Sequence, residues 1–296
     1  MLTVFGSINI DQVLSVTSIP LPGETVLGKK ILEGHGGKGA NQAVAAARVA
    51  NGHFTVRFVG ALGHDEHGEA ALANLKANGV LPICEQISGV PTGTALIAID
   101  NTGENAITVL PGANDRLRAE NFTSAIQQET EILLCQGEVD IDQTFGAFAV
   151  FKKHKPNGVT ILNLAPVPMA LCSPDLKMVD LLVVNEKEAA DVQAILEQDL
   201  PSIAAILSLG IIVTRGAEGA VIHTAEADPV IVESPRVSPS DTTGAGDTFC
   251  GVLAALLTEG WTLHDAAEMA CKAGAIACLS IGAQSGMPTR DILTGH

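Results

Sequence analysis

Short apolar segments alternate with helical patterns along most of this chain of 296 residues. The apolar segments are rich in Val, Ile and Leu, and they cover residues 2–8, 56–62, 132–135, 159–164, 181–184 and 211–214. Helical patterns lie between them, over residues 39–50, 66–78, 141–153, 186–195 and 201–207. Because parallel strands need crossover connections and are buried on both faces, this order predicts an α/β fold with a doubly wound, mostly parallel sheet flanked by helices.

Two stretches, residues 15–32 and 93–110, do not fit the alternation. They are typical of paired strands with turn residues and no crossover helix, and the second has the turn Asp100-Asn101-Thr102-Gly103 of a hairpin. We predict that residues about 12–34 and 92–111 form a small β-sheet, which projects as a lid from a single domain spanning 1–296. Surface decoration of the main sheet is the alternative.

The chain after Thr214 departs from the alternation as well. Residues 219–223 and 230–233 predict an antiparallel edge of the sheet, and two helices follow, over residues 244–258 and 263–279.

The formal net charge of −16 excludes some classes of partner. Nucleic acids and anionic membranes both require basic patches, so we expect neither as a partner. The six cysteines form no C-x-x-C pair, which predicts reduced thiols and a cytoplasmic protein rather than a zinc site or a disulfide framework. No apolar run approaches the length of a membrane span.

The run Asp241-Thr242-Thr243-Gly244-Ala245-Gly246-Asp247 precedes a long apolar helical pattern. Small residues at a helix start let backbone N–H groups converge on an anion. A carboxylate ending such a run repels an anion, but it suits a base that takes a proton from a hydroxyl attacking a phosphoryl group. A helix start with Thr and Asp caps is the alternative interpretation.

A glycine-rich loop begins at Gly34. Gly34, Gly36 and Gly39 match the G-x-G-x-x-G pattern of dinucleotide-binding proteins, but no acidic residue ends a strand about 20 positions further on. A polar ligand site fits better: Gly36 and Gly37 permit close approach, and Lys38 and Asn41 offer donors. Asn9 and Asp11 follow the first strand and add an amide and a carboxylate, so the set suits a polyhydroxylated molecule.

Three weaker patterns remain open. Asn185 and Glu188 directly follow a strand; they can position Mg²⁺ through water, or they can form an ordinary helix cap. The turn at Gly216 and Gly219 is compatible with an ordinary hairpin. His64-Asp65-Glu66-His67 is more typical of a helix start than of a metal site, because no third ligand segment is evident.

Together these motifs resemble one family, the ribokinase-like sugar kinases, also called the PfkB carbohydrate kinases, with ribokinases as the most similar branch. The resemblance runs nearly end to end. Its motifs occur in the family's order: Gly6-Ser7-Ile8-Asn9-Ile10-Asp11, Pro22-Gly23-Glu24-Thr25, Gly36-Gly37-Lys38-Gly39-Ala40-Asn41-Gln42-Ala43, Thr92-Gly93, Gly112-Ala113-Asn114 and the run that ends at Asp247.

The resemblance implies transfer of the γ-phosphoryl group of ATP to the primary hydroxyl of a sugar, with D-ribose favoured. It implies that Asp247 is the catalytic base and that the backbone of Gly244, Ala245 and Gly246 forms the anion hole. The implied sugar-binding residues are Asn9, Asp11, Gly37, Lys38, Asn41 and Glu138.

For the cofactors, the resemblance implies that Asn185, Thr214, Gly216, Gly219 and Gly246 hold the nucleotide. Glu188, with Asn185, would organise Mg²⁺ and the phosphates. The implied K⁺ site comprises Asp241, Thr243, Ala277, Ser280 and Gly282. The small sheet corresponds to the family's lid, which in ribokinases also forms the contact of a homodimer.

Other functions stay open at this point. Within the kinase class, the alternative acceptors are 2-deoxyribose, another sugar or a nucleoside. An NAD-dependent oxidoreductase that uses the loop from Gly34 to Gly39 belongs to a different class. A sugar sensor without catalysis is a third class, although the intact Asp247 argues against it.

Overall fold

The computed structural model describes residues 1–123, 125, 129–172 and 174–295, so the last residue of the predicted 1–296 domain lies outside the described residues. Its strands are β1 (Leu2–Phe5), β2 (Asn9–Ser15), β3 (Lys29–Gly36), β4 (Val56–Gly63), β5 (Val80–Ile87), β6 (Gly93–Ile99), β7 (Asn105–Leu110), β8 (Ile132–Gln136), β9 (Val159–Asn163), β10 (Leu181–Asn185), β11 (Gly210–Thr214), β12 (Ala220–His223) and β13 (Val230–Val232). Its α-helices are α1 (Lys38–Ala50), α2 (Glu66–Ala77), α3 (Ala119–Thr123), α4 (Ile141–His154), α5 (Glu186–Leu196), α6 (Leu200–Ala204), α7 (Ala245–Thr258), α8 (Leu263–Ala277) and α9 (Arg290–Thr294).

A large sheet with helices on both faces confirms the predicted fold class. Its strand order is β13-β12-β11-β10-β9-β8-β1-β4-β5, and the pairs from β11 to β5 are parallel. The predicted antiparallel edge is confirmed, since β12 and β13 pair antiparallel beyond β11. Apolar side chains on one face pack with α1, α7 and α8, and those on the other face pack with α4 and α5.

The predicted second sheet is present, with the strand order β3-β2-β6-β7. The hairpin of β6 and β7 is confirmed, and the turn is closed by a hydrogen bond from the backbone N–H of Asp100 to the carbonyl of Glu104. The other pair differs from the prediction, because β2 and β3 pair over their full lengths and residues 16–28 contain no strand. This four-stranded unit is called the small sheet below.

The structure differs from the sequence prediction in the bounds of β1 and in the presence of β5. The apolar segment 2–8 is a strand only as far as Phe5, because Gly6 must approach the backbone of Gly39 closely and the chain then enters β2. Strand β5 was missed, since it lies at the edge of the large sheet and its exposed residues break the apolar pattern. At the next helix start, Asp65 caps α2 by accepting a hydrogen bond from the N–H of Gly68 at 2.8 Å, as the capping interpretation predicts.

Helices α1 and α7 pack directly against each other, and this contact places the site described below. Gly251 of α7 makes the close approach possible, because a Cβ there would lie 2.3 Å from the carbonyl oxygen of Gln42 on α1.

Of the helices within the described residues, none is long and apolar enough to cross a lipid bilayer. All six cysteines are free thiols, and Cys172 is exposed rather than in an apolar environment.

Candidate active site

The candidate site lies where parallel strands of the large sheet end. The carboxyl ends of such strands share one edge, where α/β proteins bind ligands. Glu138 follows β8, Asn185 ends β10 and Thr214 ends β11, with Asn185 and Thr214 directly paired. Asn9 and Asp11 lie just beyond β1, at the start of β2. Sequence segments more than 200 residues apart therefore converge on one edge of the sheet.

Asp247 lies in the first turn of α7 and is only 7% exposed. Both of its carboxylate oxygens accept hydrogen bonds from α1. The Nδ2 of Asn41 donates to Oδ2 at 2.9 Å, and the Nε2 of Gln42 donates to Oδ1 at 3.0 Å. Helix α1 therefore holds the carboxylate at both of its oxygens and sets its orientation.

Glu138 joins the end of β8 to the start of α1. Its Oε2 accepts hydrogen bonds from the hydroxyl of Ser7 at 2.6 Å and from the backbone N–H of Lys38 at 3.0 Å. Each bond holds the carboxylate beside the glycine-rich segment. Its other oxygen takes part in neither bond and remains available to a ligand hydroxyl.

Asn9 is almost completely buried, with 2% of its surface exposed. Its Oδ1 accepts a hydrogen bond from the Nδ2 of Asn114 at 2.9 Å. The same Asn114 also pairs with the backbone N–H and carbonyl of Ile8, each at 3.0 Å. Asn114 therefore fixes the amide orientation of Asn9, so that the Nδ2 of Asn9 is left to donate to a ligand.

Asp11 faces the same space from β2. Gly36 leaves room for its carboxylate, because a Cβ at Gly36 would lie 2.1 Å from Oδ1 of Asp11. Burial, together with repulsion by the carboxylates of Glu138 and Asp247, raises the pKa of Asp11 to about 7. Asp11 therefore changes its charge in the physiological pH range.

Lys38 is the first residue of α1, and Gly37 precedes it with a positive φ of 85°. A side chain at Gly37 is excluded, since its Cβ would lie 2.6 Å from Cα of Ile8. The carboxylates of Asp247 and Glu138 raise the pKa of the Lys38 ammonium, with burial acting in the opposite direction. Lys38 is therefore the cation that offsets the carboxylates of this site.

A cavity of about 520 Å³ lies on the other side of the start of α7. It brings together four of the five predicted nucleotide residues, Thr214, Gly216, Gly219 and Gly246. Asn185 is not part of its lining. Sequence reasoning missed the apolar part of the wall, which carries no motif and includes Val237, Phe249, Ala270, Cys271 and Ala275. An apolar wall facing a glycine-rich turn fits a purine base and its phosphates.

The start of α7 separates this cavity from the carboxylate cluster. Gly244 caps the helix with φ of 78°, and a Cβ there would lie 2.3 Å from the carbonyl oxygen of Ala283. No atom lies within 4 Å of the position of a Cβ on Gly246, so this face of the loop is open. The first amides of a helix have no intrahelical acceptor, although that of Ala245 donates to the carbonyl of Thr242 at 3.2 Å. Gly246 is thus the residue of this helix start that leaves the cavity side open, and it lines the cavity.

Asn185 and Glu188 form the capping box that was the alternative interpretation. The Oδ1 of Asn185 accepts from the N–H of Glu188, and Oε2 of Glu188 accepts from the N–H of Asn185, both at 2.8 Å. Burial raises the pKa of Glu188, with the Lys38 ammonium opposing it. The second oxygen of Glu188 is outside the capping box, so a hydrated Mg²⁺ still fits there.

The residues predicted for a monovalent cation lie together at the end of α8. Oδ1 of Asp241 accepts hydrogen bonds from the N–H and hydroxyl of Thr243, and Oδ2 accepts from the N–H of Gly282 at 2.8 Å. Burial acts to raise the pKa of Asp241, but these bonds hold it below its ordinary value. Ala277 ends α8, where carbonyl oxygens lack helical partners and attract cations; Ser280 follows within the same turn.

A model of the pfkB family of carbohydrate kinases matches residues 1–290. The chain belongs to this family. It is 37% identical over 291 residues to a ribokinase of Bacillus subtilis, an alignment that covers 97% of this chain and 96% of that protein. A ribokinase of Schizosaccharomyces pombe is 35% identical, with coverages of 97% and 95%.

Solved structures of the pfkB family agree with the fold. Ribokinase from Thermotoga maritima superposes with a TM-score of 0.90 at 31% identity, covering all of this chain and 98% of that one. Ribokinase from Arabidopsis thaliana, solved as a complex with ribose and ATP, gives a TM-score of 0.86 at 26% identity, with coverages of 99% and 97%. The chain is accordingly a carbohydrate kinase.

The dinucleotide alternative has no structural basis in this pfkB kinase. Gly34 and Gly36 lie in β3, an antiparallel strand of the small sheet, whereas a dinucleotide fingerprint follows a buried parallel strand. In this structure Gly36 leaves room for the carboxylate of Asp11, and Gly37 is the residue before the first turn of α1.

The site also contains polar residues to which the sequence motifs assigned no role. Ser7, Gln42 and Asn114 each hold a predicted site residue through a hydrogen bond. All three belong to motifs of the resemblance, but their own roles were not predicted. Their positions beside Glu138, Asp247 and Asn9 are evident only once the strands are paired.

Proposed function

We propose that this chain transfers the γ-phosphoryl group of ATP to the primary hydroxyl of D-ribose, giving D-ribose 5-phosphate and ADP. One observation carries the proposal: the carboxylate of Asp247 accepts a hydrogen bond from Asn41 of the polyhydroxyl-type site, and Asp247 directly follows Gly246, which lines the nucleotide cavity. A base in that position can take the proton of a hydroxyl as its oxygen attacks the phosphoryl group. The pfkB relatives that act on ribose support the choice of acceptor.

Each group of residues has a distinct part in the proposed reaction. Asn9, Asp11, Gly37, Lys38, Asn41 and Glu138 bind and orient the sugar. The ionised Asp247 takes the proton of the primary hydroxyl, the new O–P bond forms, and the bond to ADP breaks. The amides of Gly244 and Gly246, with Ala245 contributing if it releases Thr242, stabilise the charge of the transferring group. Lys38 offsets the negative charge that gathers there.

The cofactors have proposed positions as well. ATP occupies the cavity lined by Thr214, Gly216, Gly219 and Gly246, with Asn185 at its edge. Mg²⁺, held through water by Glu188 and Asn185, supplies neutralisation of phosphate charge. We further propose that the small sheet closes over the sugar as a lid.

The proposal is tested by the release of ADP from Mg-ATP in the presence of K⁺. The acceptors are ribose, 2-deoxyribose, fructose and adenosine, with a reaction without sugar as the control. We expect saturable turnover with ribose at the highest kcat/KM. Faster turnover with another acceptor would replace ribose as the substrate, and no turnover with any acceptor would contradict the kinase function.

The raised pKa of Asp11 predicts that ribose binding depends on pH. The ionised carboxylate accepts hydrogen bonds from two hydroxyls, whereas the neutral acid accepts fewer, so the ionised form binds ribose more tightly. With a pKa of about 7, the KM for ribose falls about tenfold from pH 6 to pH 8. Asp11→Asn raises KM and removes this dependence. A wild-type KM that is constant over this range contradicts the prediction.

We also propose a K⁺ site at Asp241, Thr243 and the backbone of Ala277, Ser280 and Gly282. Replacing K⁺ by tetramethylammonium, which is too large to be coordinated there, should lower kcat/KM severalfold. Asp241→Asn should abolish the difference between the two salts, because the carboxylate supplies the charge of the site. Equal rates of the wild type in both salts would rule out the site.

Two broader properties are proposed from the surface. The small sheet exposes Ile31, Leu32, Ile107, Val109 and Leu110. Exposed apolar side chains on a small sheet fit a contact between two copies of the chain, so we propose a homodimer through the small sheet. Light scattering at several concentrations measures its mass.

The free thiols are compatible with a cytoplasmic location.

A further inference from the structure

A continuous chain of side-chain hydrogen bonds connects the half-buried Arg48 with Asp247. The Nε of Arg48 donates to Oδ1 of Asn78 at 2.9 Å, and the Nδ2 of Asn78 donates to Oδ1 of Asn74 at 3.2 Å. The Nδ2 of Asn74 donates to Oε1 of Gln284 at 2.8 Å. The Nε2 of Gln284 then donates to Oδ1 of Asn41 at 2.9 Å, and Asn41 donates to the carboxylate. We call these bonds the amide chain.

The direction of the amide chain is fixed by its two ends. A guanidinium has N–H donors and no acceptor, and a carboxylate in its ionised form has acceptors only. Each amide between them carries one oxygen and one NH₂ group, so the first donation from Arg48 determines the orientation of every following amide. Reversing the amides would place N–H groups against Arg48 and carbonyl oxygens against Asp247.

Gln42, which donates to the other oxygen of Asp247, is also held in one orientation by neighbouring amides. The Nδ2 of Asn163 donates to the backbone carbonyl of Val183 at 3.1 Å, so its Oδ1 accepts from the Nε2 of Gln42 at 2.9 Å. The Oε1 of Gln42 accepts from Gln136 at 2.8 Å, and its Nε2 therefore also reaches Asp247. Asn41, Gln42, Gln136 and Gln284 are all buried. Both donors to the base thus have orientations set by residues outside the site.

We propose that Asn74 and Gln284 are positioning residues for phosphoryl transfer, because they hold the Asn41 amide with its N–H toward Asp247. Neither residue needs to contact sugar or nucleotide. The donated bonds stabilise the ionised base and leave its remaining lone pairs directed at the substrate. The inference rests on the proposed function of Asp247 as the base.

The consequence is tested by substitutions that reverse the direction of the chain. In Asn74→Asp the new carboxylate cannot donate to Gln284, so Gln284 and then Asn41 turn over, and the Asn41 oxygen faces Asp247. Gln284→Glu forces the same turn of Asn41 from one step nearer. Each reversal replaces a hydrogen bond to a charged group by repulsion between oxygens.

We expect both variants to lower kcat about tenfold or more, and to move the acid limb of the kcat profile upward by about one pH unit. The KM for ATP should change little. The matched control is Asn51→Asp, which adds the same charge at the exposed carboxyl end of α1, outside the amide chain; its acid limb should stay within about 0.3 pH units of the wild type.

Gln284→Met distinguishes reversal of the amide chain from loss of the hydrogen bond between Gln284 and Asn41. It removes the amide without a charge, and Asn41 is then free to keep its N–H toward Asp247, so kcat should fall less than with Gln284→Glu. Equal losses in these two variants, or a wild-type acid limb in both reversal variants, would overturn the inference. A wild type without turnover would instead contradict the proposed function.

A readout that needs no turnover is the side-chain NH₂ spectrum of the ¹⁵N-labelled protein. The Asn41 resonances should move strongly in Asn74→Asp and little in Asn51→Asp. Unchanged Asn41 resonances in a folded Asn74→Asp protein would refute the amide chain independently of any assay.

Discussion

Asp247→Asn should lower kcat by about 10² to 10⁴, the usual loss when a general base is removed. An amide of the same shape cannot accept the proton of the attacking hydroxyl at neutral pH. Ribose binding should be retained, because the sugar contacts proposed for Asn9, Asp11 and Glu138 are unaffected. Steady-state kinetics measure kcat, and calorimetric titration of ribose measures binding.

The environment of Asp247 makes the control for folding important. Asn41 and Gln42 both donate to the carboxylate, and an amide at this position presents an NH₂ group to one of them. Some loss of stability is therefore expected, and thermal unfolding of the variant should accompany the kinetics. Asp142→Asn, in the exposed first turn of α4, is the matched substitution and should leave kcat at the wild-type level. A folded Asp247→Asn protein with normal kcat would falsify the assignment of the base.

Gly244→Ala should have the second large effect. The substitution introduces a side chain at φ of 78°, where its Cβ would lie 2.3 Å from the carbonyl oxygen of Ala283. Strain and overlap together should lower the free energy of unfolding by about 2–4 kcal/mol. Any relaxation moves the amides at the start of α7, so kcat should fall as well. Denaturant unfolding and kinetics measure the two effects.

Gly246→Ala is the informative partner of that substitution. No atom lies within 4 Å of a Cβ at this position, and its backbone is helical, so the free energy of unfolding should change by less than about 1 kcal/mol. The new methyl group projects into the nucleotide cavity, so the KM for ATP should rise. If Gly246→Ala destabilised the protein as much as Gly244→Ala, the strain argument would be wrong.

Much of the fold is predictable from the sequence, because its strands are buried on both faces and its helices carry clear patterns. The hairpin of β6 and β7 is predictable from its turn residues. Strand β5 is not, since an edge strand with exposed Leu81 and Ile83 has no continuous apolar pattern. Likewise, residues 16–28 contain turn residues but no partner strand, and only the pairing register reveals where β2 and β3 end.

The site is predictable to a different extent. Residues of the glycine-rich motifs stand out, because backbone conformation and close approach restrict which residue can occupy those positions. Gln284 does not stand out, although it contacts Asn41 from 243 residues away in sequence. A buried amide of this kind depends on partners from other elements, so its sequence neighbours carry no signal. The Asn185–Glu188 pair is the opposite case: both partners of its capping box are three residues apart in sequence, so the sequence alone predicts it.

The short passage from β1 to β2 links two parts of the molecule that are otherwise separate. Gly6, Ser7 and Ile8 leave the large sheet, and Asn9 already belongs to the small sheet. The residues proposed to bind the sugar and the sheet proposed to cover it are therefore joined by a short stretch of backbone. Because Asp11 belongs to the small sheet and Asp247 to α7, any movement of the small sheet displaces one carboxylate relative to the other. Closure of the proposed lid and the proposed contacts with the sugar are therefore mechanically coupled.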